Sequence, residues 1–147
     1  MVIDLRDIKR QGKDQIDFFF EYALDNSLID LPNVSFSAPA KINGTVTLTG
    51  EHSALIDADI EFSLSGNCTS CLECADRTYY ADFSEDFGIG TENEGAIKGD
   101  RIDLTQTVIE TIMAFMPYNF LCKEDCLGLC PICGTNLNLK KCNCNNK

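Results

Sequence analysis

Residues 56–74, IDADIEFSLSGNCTSCLEC, open on an unbroken alternation and close on three cysteines. Ile56, Ala58, Ile60, Phe62 and Leu64 alternate with Asp57, Asp59, Glu61 and Ser63. A period of two puts the apolar set on one face and the acids on the other, which is the pattern of an antiparallel strand with one wet side. Residues 50–53 supply a hairpin turn before it. Working outward, Ile16, Phe18, Phe20 and Tyr22 share a face at the same period, and Val34, Phe36 and Ala38 repeat it until Pro39 interrupts. Residues 42–49 set Ile42, Val46 and Leu48 against Thr45, Thr47 and Thr49. A further strand is expected over about 78–87, with Tyr79, Ala81, Phe83 and Phe87 on one side.

Residues 88–100, GIGTENEGAIKGD, hold four glycines and little to bury, and read as a mobile loop. Asp103 then opens a helix, with Gln106 as its capping-box partner and Leu104, Val108, Ile109, Ile112, Met113 and Met116 as its apolar stripe. Pro117 ends it. The fold class expected is α+β, a mainly antiparallel β-meander with one helix in the C-terminal half and a Cys-rich zinc-knuckle tail. The expected division is a β-rich body over residues 1–117, with its helix at about 103–116, and a metal-binding tail over 118–147.

That tail contains CKEDCLGLCPICGTNLNLKKCNC, residues 122–144, with six of the chain's nine cysteines. Two thiolates separated by two residues can face one ion while the turn's N–H groups point at the sulfurs, and Gly134 after Cys130-Pro131-Ile132-Cys133 eases the positive φ of such turns. Cys68 and Cys71, or else Cys71 and Cys74, at the turn after the long strand, offer a second half-site. Zinc favours four tetrahedral ligands drawn from two chelating pairs. The most local assortment joins Cys130 and Cys133 to Cys142 and Cys144, and Cys68 and Cys71 to Cys122 and Cys126, leaving Cys74 spare. An assortment that completes 130/133 with 122/126, or a single zinc with surplus thiols, is also compatible with the spacing. Iron–sulfur ligation and a Cys-x-x-Cys redox centre are the competing readings. The spacings do not follow the bacterial ferredoxin run, and a hairpin tip is not a thioredoxin-like βαβ setting.

The 147 residues have room for one domain with a real core, and an apolar share of 44% is ordinary for a globular chain. The opening MVIDLRDIKRQGKDQ lacks an apolar h-region, and no run is long enough to cross a bilayer, so a cytoplasmic protein is expected. In that compartment thiols are metal ligands or redox groups before they are disulfides. The net charge of −11 is uneven. Residues 1–74 carry 12 acids against 5 bases and 75–116 carry 9 against 3, while 117–147 carry 2 against 4. The acidic part repels nucleic acid at long range, so RNA contact falls to Lys140, Lys141 and Lys147. The acids suit a basic protein partner. His52 is the one histidine and sits in a turn, with no nucleophile or orienting acid nominated beside it. No phosphate loop, nucleophile elbow or dinucleotide fingerprint occurs, so nothing requires an enzyme.

The tail resembles the C-terminal signature of the YceD family, the large ribosomal RNA subunit accumulation proteins. The residues that carry it are Cys122, Glu124-Asp125, Cys126, Gly128-Leu129-Cys130-Pro131, Cys133-Gly134, Asn136-Leu137-Asn138 and Cys142/Cys144. Cys68-Thr69-Ser70-Cys71-Leu72 matches the family's Cys-x-Arg-Cys-Leu, with Ser70 where Arg is usual, and Ile102-Asp103-Leu104 opens the helix. The resemblance implies a role in accumulation or processing of large-subunit ribosomal RNA, and with no catalytic motif in the chain that role is expected to be non-enzymatic. Its expected partners are that RNA or a basic large-subunit ribosomal protein, with neither a membrane nor a small-molecule substrate. A protein-binding adaptor without RNA contact, and a redox or metal-dependent RNA-processing enzyme, are the alternatives.

Overall fold

Burial along β5, Ser53–Asn67, follows the alternation of its sequence. Ala54, Ile56, Ala58, Ile60, Phe62 and Leu64 are buried while Asp57 and Asp59 are exposed. The computed structural model describes residues 1–144. Around β5 the strands are β1 (Val2–Asp4), β2 (Gln15–Tyr22), β3 (Val34–Phe36), β4 (Ala40–Gly50), β6 (Cys74–Phe87), β7 (Ile97–Lys98) and β8 (Arg101–Asp103). The helices are α1 (Leu5–Arg10) and α2 (Thr105–Ala114). The fold is mostly antiparallel β, and among the described residues α2 is the one helix of more than two turns. No helix among the described residues is long and apolar enough to cross a membrane.

Contacts divide the chain into two compact units. One comprises Met1–Leu24, Pro39–Phe62 and Tyr79–Met116; the other comprises Asp25–Ala38, Ser63–Thr78 and Pro117–Lys147.

In the first unit β4 lies between β2 and β5, antiparallel to both. The register aligns Glu21, Lys41 and Glu61 in one cross-strand row, Phe19, Asn43 and Asp59 in the next, and Asp17, Thr45 and Asp57 in a third. β6 pairs with the other side of β5. Phe62 stacks on Tyr79 with ring centroids 5.6 Å apart, and Ser53 lies against Gly88. Those two contacts set Glu61 opposite Tyr80 and Asp59 opposite Asp82. The buried face supplies Ile42, Val46, Ile56, Ile60 and Phe62 to a core that also takes Leu5 and Ile8 of α1 and Val108 and Ile112 of α2.

A second, three-stranded sheet has the order β1-β8-β7. Its β7 arises within the stretch expected to be a mobile loop. Ile97 pairs with Ile102 and Lys98 with Arg101, and Asn93 Nδ2 donates to Glu85 Oε2 at 2.8 Å and to the Asp86 carbonyl at 3.0 Å. Backbone pairing thus orders part of a segment that has little to bury. α2 begins at Thr105 rather than Asp103, whose Oδ1 accepts the Thr105 N–H at 2.9 Å. Gln106 donates to Glu110 Oε1 at 2.8 Å along the helix, so no capping box forms. Thr107 is buried and Met113 is 51% exposed, which turns the buried stripe towards Thr107.

In the second unit β3 pairs with the last residues of β5. Val34 pairs with Gly66 and Phe36 with Leu64, and Asn26 Oδ1 accepts the Phe36 N–H at 2.9 Å. Its buried side chains include Leu64, Phe120, Cys68, Cys71 and Cys130.

The close approach of strands in the first unit depends on Gly44. A Cβ at this position would stand under 3.0 Å from both the Asp57 carbonyl oxygen and the Phe18 ring. Gly44→Ala should therefore destabilise the chain by about 2 kcal/mol, read as a lower denaturant midpoint at unchanged slope. Gly95→Ala, whose Cβ would meet nothing within 4 Å, should leave the midpoint in place.

Candidate metal centres

The turn between β5 and β6 presents Cys68 and Cys71 inward. Cys68 N–H donates to the Glu73 carbonyl at 2.9 Å and Leu72 N–H to the Cys68 carbonyl at 3.0 Å, which closes a tight loop. Leu72 completes it at φ 65°, a left-handed conformation that a leucine adopts only at some cost. Both sulfur-bearing residues are buried, Cys68 at 0% exposure and Cys71 at 3%. The chain beyond Pro117 is laid against this turn by backbone. Thr69 N–H donates to the Phe120 carbonyl at 2.8 Å, and Arg77 Nη1 donates to the Leu121 carbonyl at 3.3 Å. Phe120, wholly buried, anchors the segment that carries Cys122 and Cys126.

The result is a group of four sulfurs. Cys68 Sγ lies 3.6 Å from Cys126 Sγ and Cys71 Sγ lies 3.6 Å from Cys122 Sγ, and all four are within 4.8 Å of one another. These separations are far beyond the disulfide bond length of about 2.05 Å. They are close to the edge of a tetrahedron of sulfurs around a metal, about 3.8 Å for metal–sulfur bonds of about 2.3 Å.

Cys130, Cys133, Cys142 and Cys144 form a second group with sulfurs within the same limit. Here the Cys-x-x-Cys turn is closed by Gly134 N–H donating to the Cys130 carbonyl at 2.9 Å, with Gly134 at φ 74°. Cys130 N–H donates to the Thr135 carbonyl at 2.8 Å, and Ile132 N–H points at Cys130 Sγ from 3.4 Å. Leu139 and Lys140 both donate to the Asn136 carbonyl, and that turn brings the chain back towards Cys142 and Cys144. The two groups could each hold a metal ion.

Hydrogen bonds tie the loops of the two groups together. Leu129 N–H donates to the Ser70 carbonyl at 3.1 Å and Leu137 N–H to the Gly128 carbonyl at 2.9 Å. Asn138 reaches from the second loop to the first. Its Oδ1 accepts the Leu127 N–H at 2.8 Å and its Nδ2 donates to Cys126 Sγ at 3.4 Å. In the sequence Asn138 stands out only as part of Asn136-Leu137-Asn138, with no contact assigned, because an amide reaching back eleven residues leaves no periodic trace.

The electrostatics of each group are those of crowded thiols. Burial acts to raise Cys68, but backbone donors from Cys71, Cys122 and Ser70 outweigh it and bring the thiol down to about 6. Burial and then the neighbouring sulfurs push Cys122 up to about 12. In the second group the Thr135 hydroxyl and N–H lower Cys133, while Cys133 itself, burial and Cys130 push Cys144 up to about 12. One thiolate in each group thus penalises the next, and full ionisation needs a cation among the sulfurs.

The remaining singled-out residues stay apart from these groups. Cys74 is exposed and donates to Asn67 Oδ1 at 3.1 Å. Lys140 and Lys141 are exposed, and Lys147 lies outside the described residues. His52 is at its expected turn, but the fold brings it an acid that the sequence did not nominate: Asp100 Oδ1 lies 3.0 Å from its Nδ1. Lys9 shares that carboxylate at 3.3 Å. His52 and then Lys9 hold the Asp100 carboxyl below the usual range.

Comparison with known proteins bears on the same region. Uncharacterized proteins of Mycobacterium tuberculosis and Mycobacterium bovis are each 27% identical over 124 residues, covering 68% of this chain and 59% of their own length. An uncharacterized protein of Mycobacterium leprae is 25% identical over 118 residues, covering 74% of this chain and 54% of its own. The chain thus spans less than two thirds of the curated relatives it matches. No solved structure matches it significantly. A family model described as Large ribosomal RNA subunit accumulation protein YceD matches residues 56–147, from β5 through all eight clustered cysteines. The chain belongs to the YceD family.

Proposed function

We propose that this chain is a non-enzymatic cytoplasmic factor supporting accumulation or processing of large-subunit ribosomal RNA, with two structural zinc ions organising its second unit. The observation that carries the metal reading is the sulfur geometry: two groups of four thiols, each with its sulfurs within 4.8 Å. A soft tetrahedral S₄ set suits zinc or iron, and backbone N–H groups directed at sulfur suit a closed structural site. In the first site Cys68, Cys71, Cys122 and Cys126 would be the ligands; in the second, Cys130, Cys133, Cys142 and Cys144. Neither set leaves a position for substrate, which favours structure over catalysis. The family's description supports the link to ribosomal RNA.

The second unit has few large buried side chains among its described residues, Leu64 and Phe120 chief among them. Structural zinc contributes about 10 kcal/mol or more to folding in small peptides, enough to order such a segment. RNA contact would be local, through Lys140 and Lys141, with Lys147 in the same run of sequence. A basic large-subunit ribosomal protein is the second partner, favoured by the exposed acids of the first unit.

Elemental analysis of protein purified under reducing conditions should find two zincs per chain; one would reject the paired scheme, and none with intact folding would remove the metal reading. Cys130→Ser should lose one zinc and leave the other. Asn138→Ala keeps every ligand and should retain both ions while releasing them several-fold faster to a chelator. Because thiols raised above neutrality must release protons to bind metal, apparent zinc affinity should fall as pH is lowered from about 8 to about 6. A flat profile over that window would contradict thiol ligation. Binding to ribosomal RNA fragments should weaken with salt at a slope matching about three neutralised phosphates, for Lys140, Lys141 and Lys147, and flatten in Lys140→Ala/Lys141→Ala; a slope of only one or two, or none, would favour the protein-binding adaptor. Cleavage of precursor RNA that is lost in Cys130→Ser would overturn the non-enzymatic assignment.

A further inference from the structure

The first unit separates its charges. Away from the sheet face most of its cations are matched: Arg6 and Arg101 meet Asp4, Lys9 meets Asp100 and Arg10 meets Asp7. On the solvent face of β2-β4-β5-β6 the acids are not. Lys41 meets Glu61 at 3.7 Å and is the one cation in the aligned rows. Asp57, Asp59 and Asp82 are exposed, and among the described residues none has a cation at ion-pair distance.

Two features of this face work against stability and so ask for another explanation. In the register fixed by the Phe62–Tyr79, Ser63–Thr78 and Ser53–Gly88 contacts, Asp59 and Asp82 fall opposite each other across β5 and β6. Like charges in that position, with Cβ atoms about 5 Å apart, destabilise a sheet. The face also exposes two aromatic rings, Phe19 at 53% and Tyr80 at 71%, one on each outer strand. A strand that needed only to be wet would be served by threonine and lysine.

We infer that this sheet face is a docking surface for an arginine-rich segment of a basic protein. Guanidinium groups would neutralise the opposed Asp59 and Asp82 and form paired hydrogen bonds with carboxylates, while Phe19 and Tyr80 offer rings for them to stack on. Four strands about 4.8 Å apart give a face about 14 Å across, and alternate residues over each strand give about 20 Å of length. That accommodates an extended peptide of about six to eight residues. RNA does not fit, because its phosphates would meet uncompensated carboxylates. The inference deepens the basic-protein reading above, yet it involves neither cysteine group.

The test uses the full chain with octa-arginine and octa-lysine peptides as probes, followed by amide chemical shifts and by titration at about 50 mM salt. Octa-arginine should bind and shift amides of β5 and β6, more tightly than octa-lysine. Asp59→Asn/Asp82→Asn should weaken it about tenfold, while Glu92→Gln/Glu110→Gln, an equal change in net charge away from this face, should weaken it less than twofold. Phe19→Ser/Tyr80→Ser should erase the preference for arginine. Relief of the opposed carboxylates should also raise the melting temperature of Asp59→Asn/Asp82→Asn, a readout that survives if binding is lost. Equal weakening by both charge pairs, no binding at this salt, an RNA oligonucleotide shifting the same amides, or self-association through β5 and β6 would each overturn the inference. Two zincs with no peptide binding would sink it alone; peptide binding with no metal would sink the zinc proposal alone.

Discussion

Four thiols held within 4.8 Å of one another cannot all be thiolates unless a cation sits among them. Most of the second unit's local architecture serves that constraint. Leu72 accepts a left-handed backbone so that the β5–β6 turn can aim Cys68 and Cys71 to one side. Thr69 and Arg77 hold the carbonyls of Phe120 and Leu121, which fixes the entry of Cys122 and Cys126. The same constraint acts on single thiols: burial and then the neighbouring sulfurs push Cys122 up, while backbone donors outweigh burial at Cys68 and bring it down.

The two cysteine groups are not equivalent. The first places two of its four residues, Cys68 and Cys71, in the interior, on a turn that continues two long strands. The second lies in irregular chain, where only Cys130 is buried and Cys133 is exposed. Backbone bonds through Ser70, Gly128 and Leu129, together with Asn138, connect them. Ordering the first therefore limits the conformations open to the second, since the Leu127–Leu129 segment is held from both ends. Metal at one site would lower the entropy lost on filling the other.

Much of this was legible in the sequence, wherever one local rule decides the outcome. The alternation in residues 56–64 became buried and exposed faces because a pleated strand has no other way to separate apolar from charged side chains. The Cys-x-x-Cys spacings marked the two turns for a similarly local reason. What stayed hidden depends on partners distant in the chain. β1 is three residues whose pairing with β8 spans the first unit's sequence, and α1 is too short to show a helical period. Asp103 looked like a helix cap because its composition permits it, but its main chain belongs to β8. Asp100 reaches His52 across 48 residues, and Asn138 reaches Cys126 across 12, contacts for which a linear pattern has no signature.

Charge also divides along lines that net composition conceals. A total of −11 suggests a molecule that avoids nucleic acid, but at physiological ionic strength exposed charges are screened beyond about 8 Å. What a phosphate meets is its immediate surroundings. Around Lys140 and Lys141 the tail is net basic, with only Glu124 and Asp125 as acids from residue 117 onward. On the open face of β5 the immediate surroundings are Asp57, Asp59 and Asp82. The same strand that builds the first unit's core with its even-numbered residues thus displays the opposite preference with its odd-numbered ones. Each unit carries a charge preference of its own, which the total of −11 conceals.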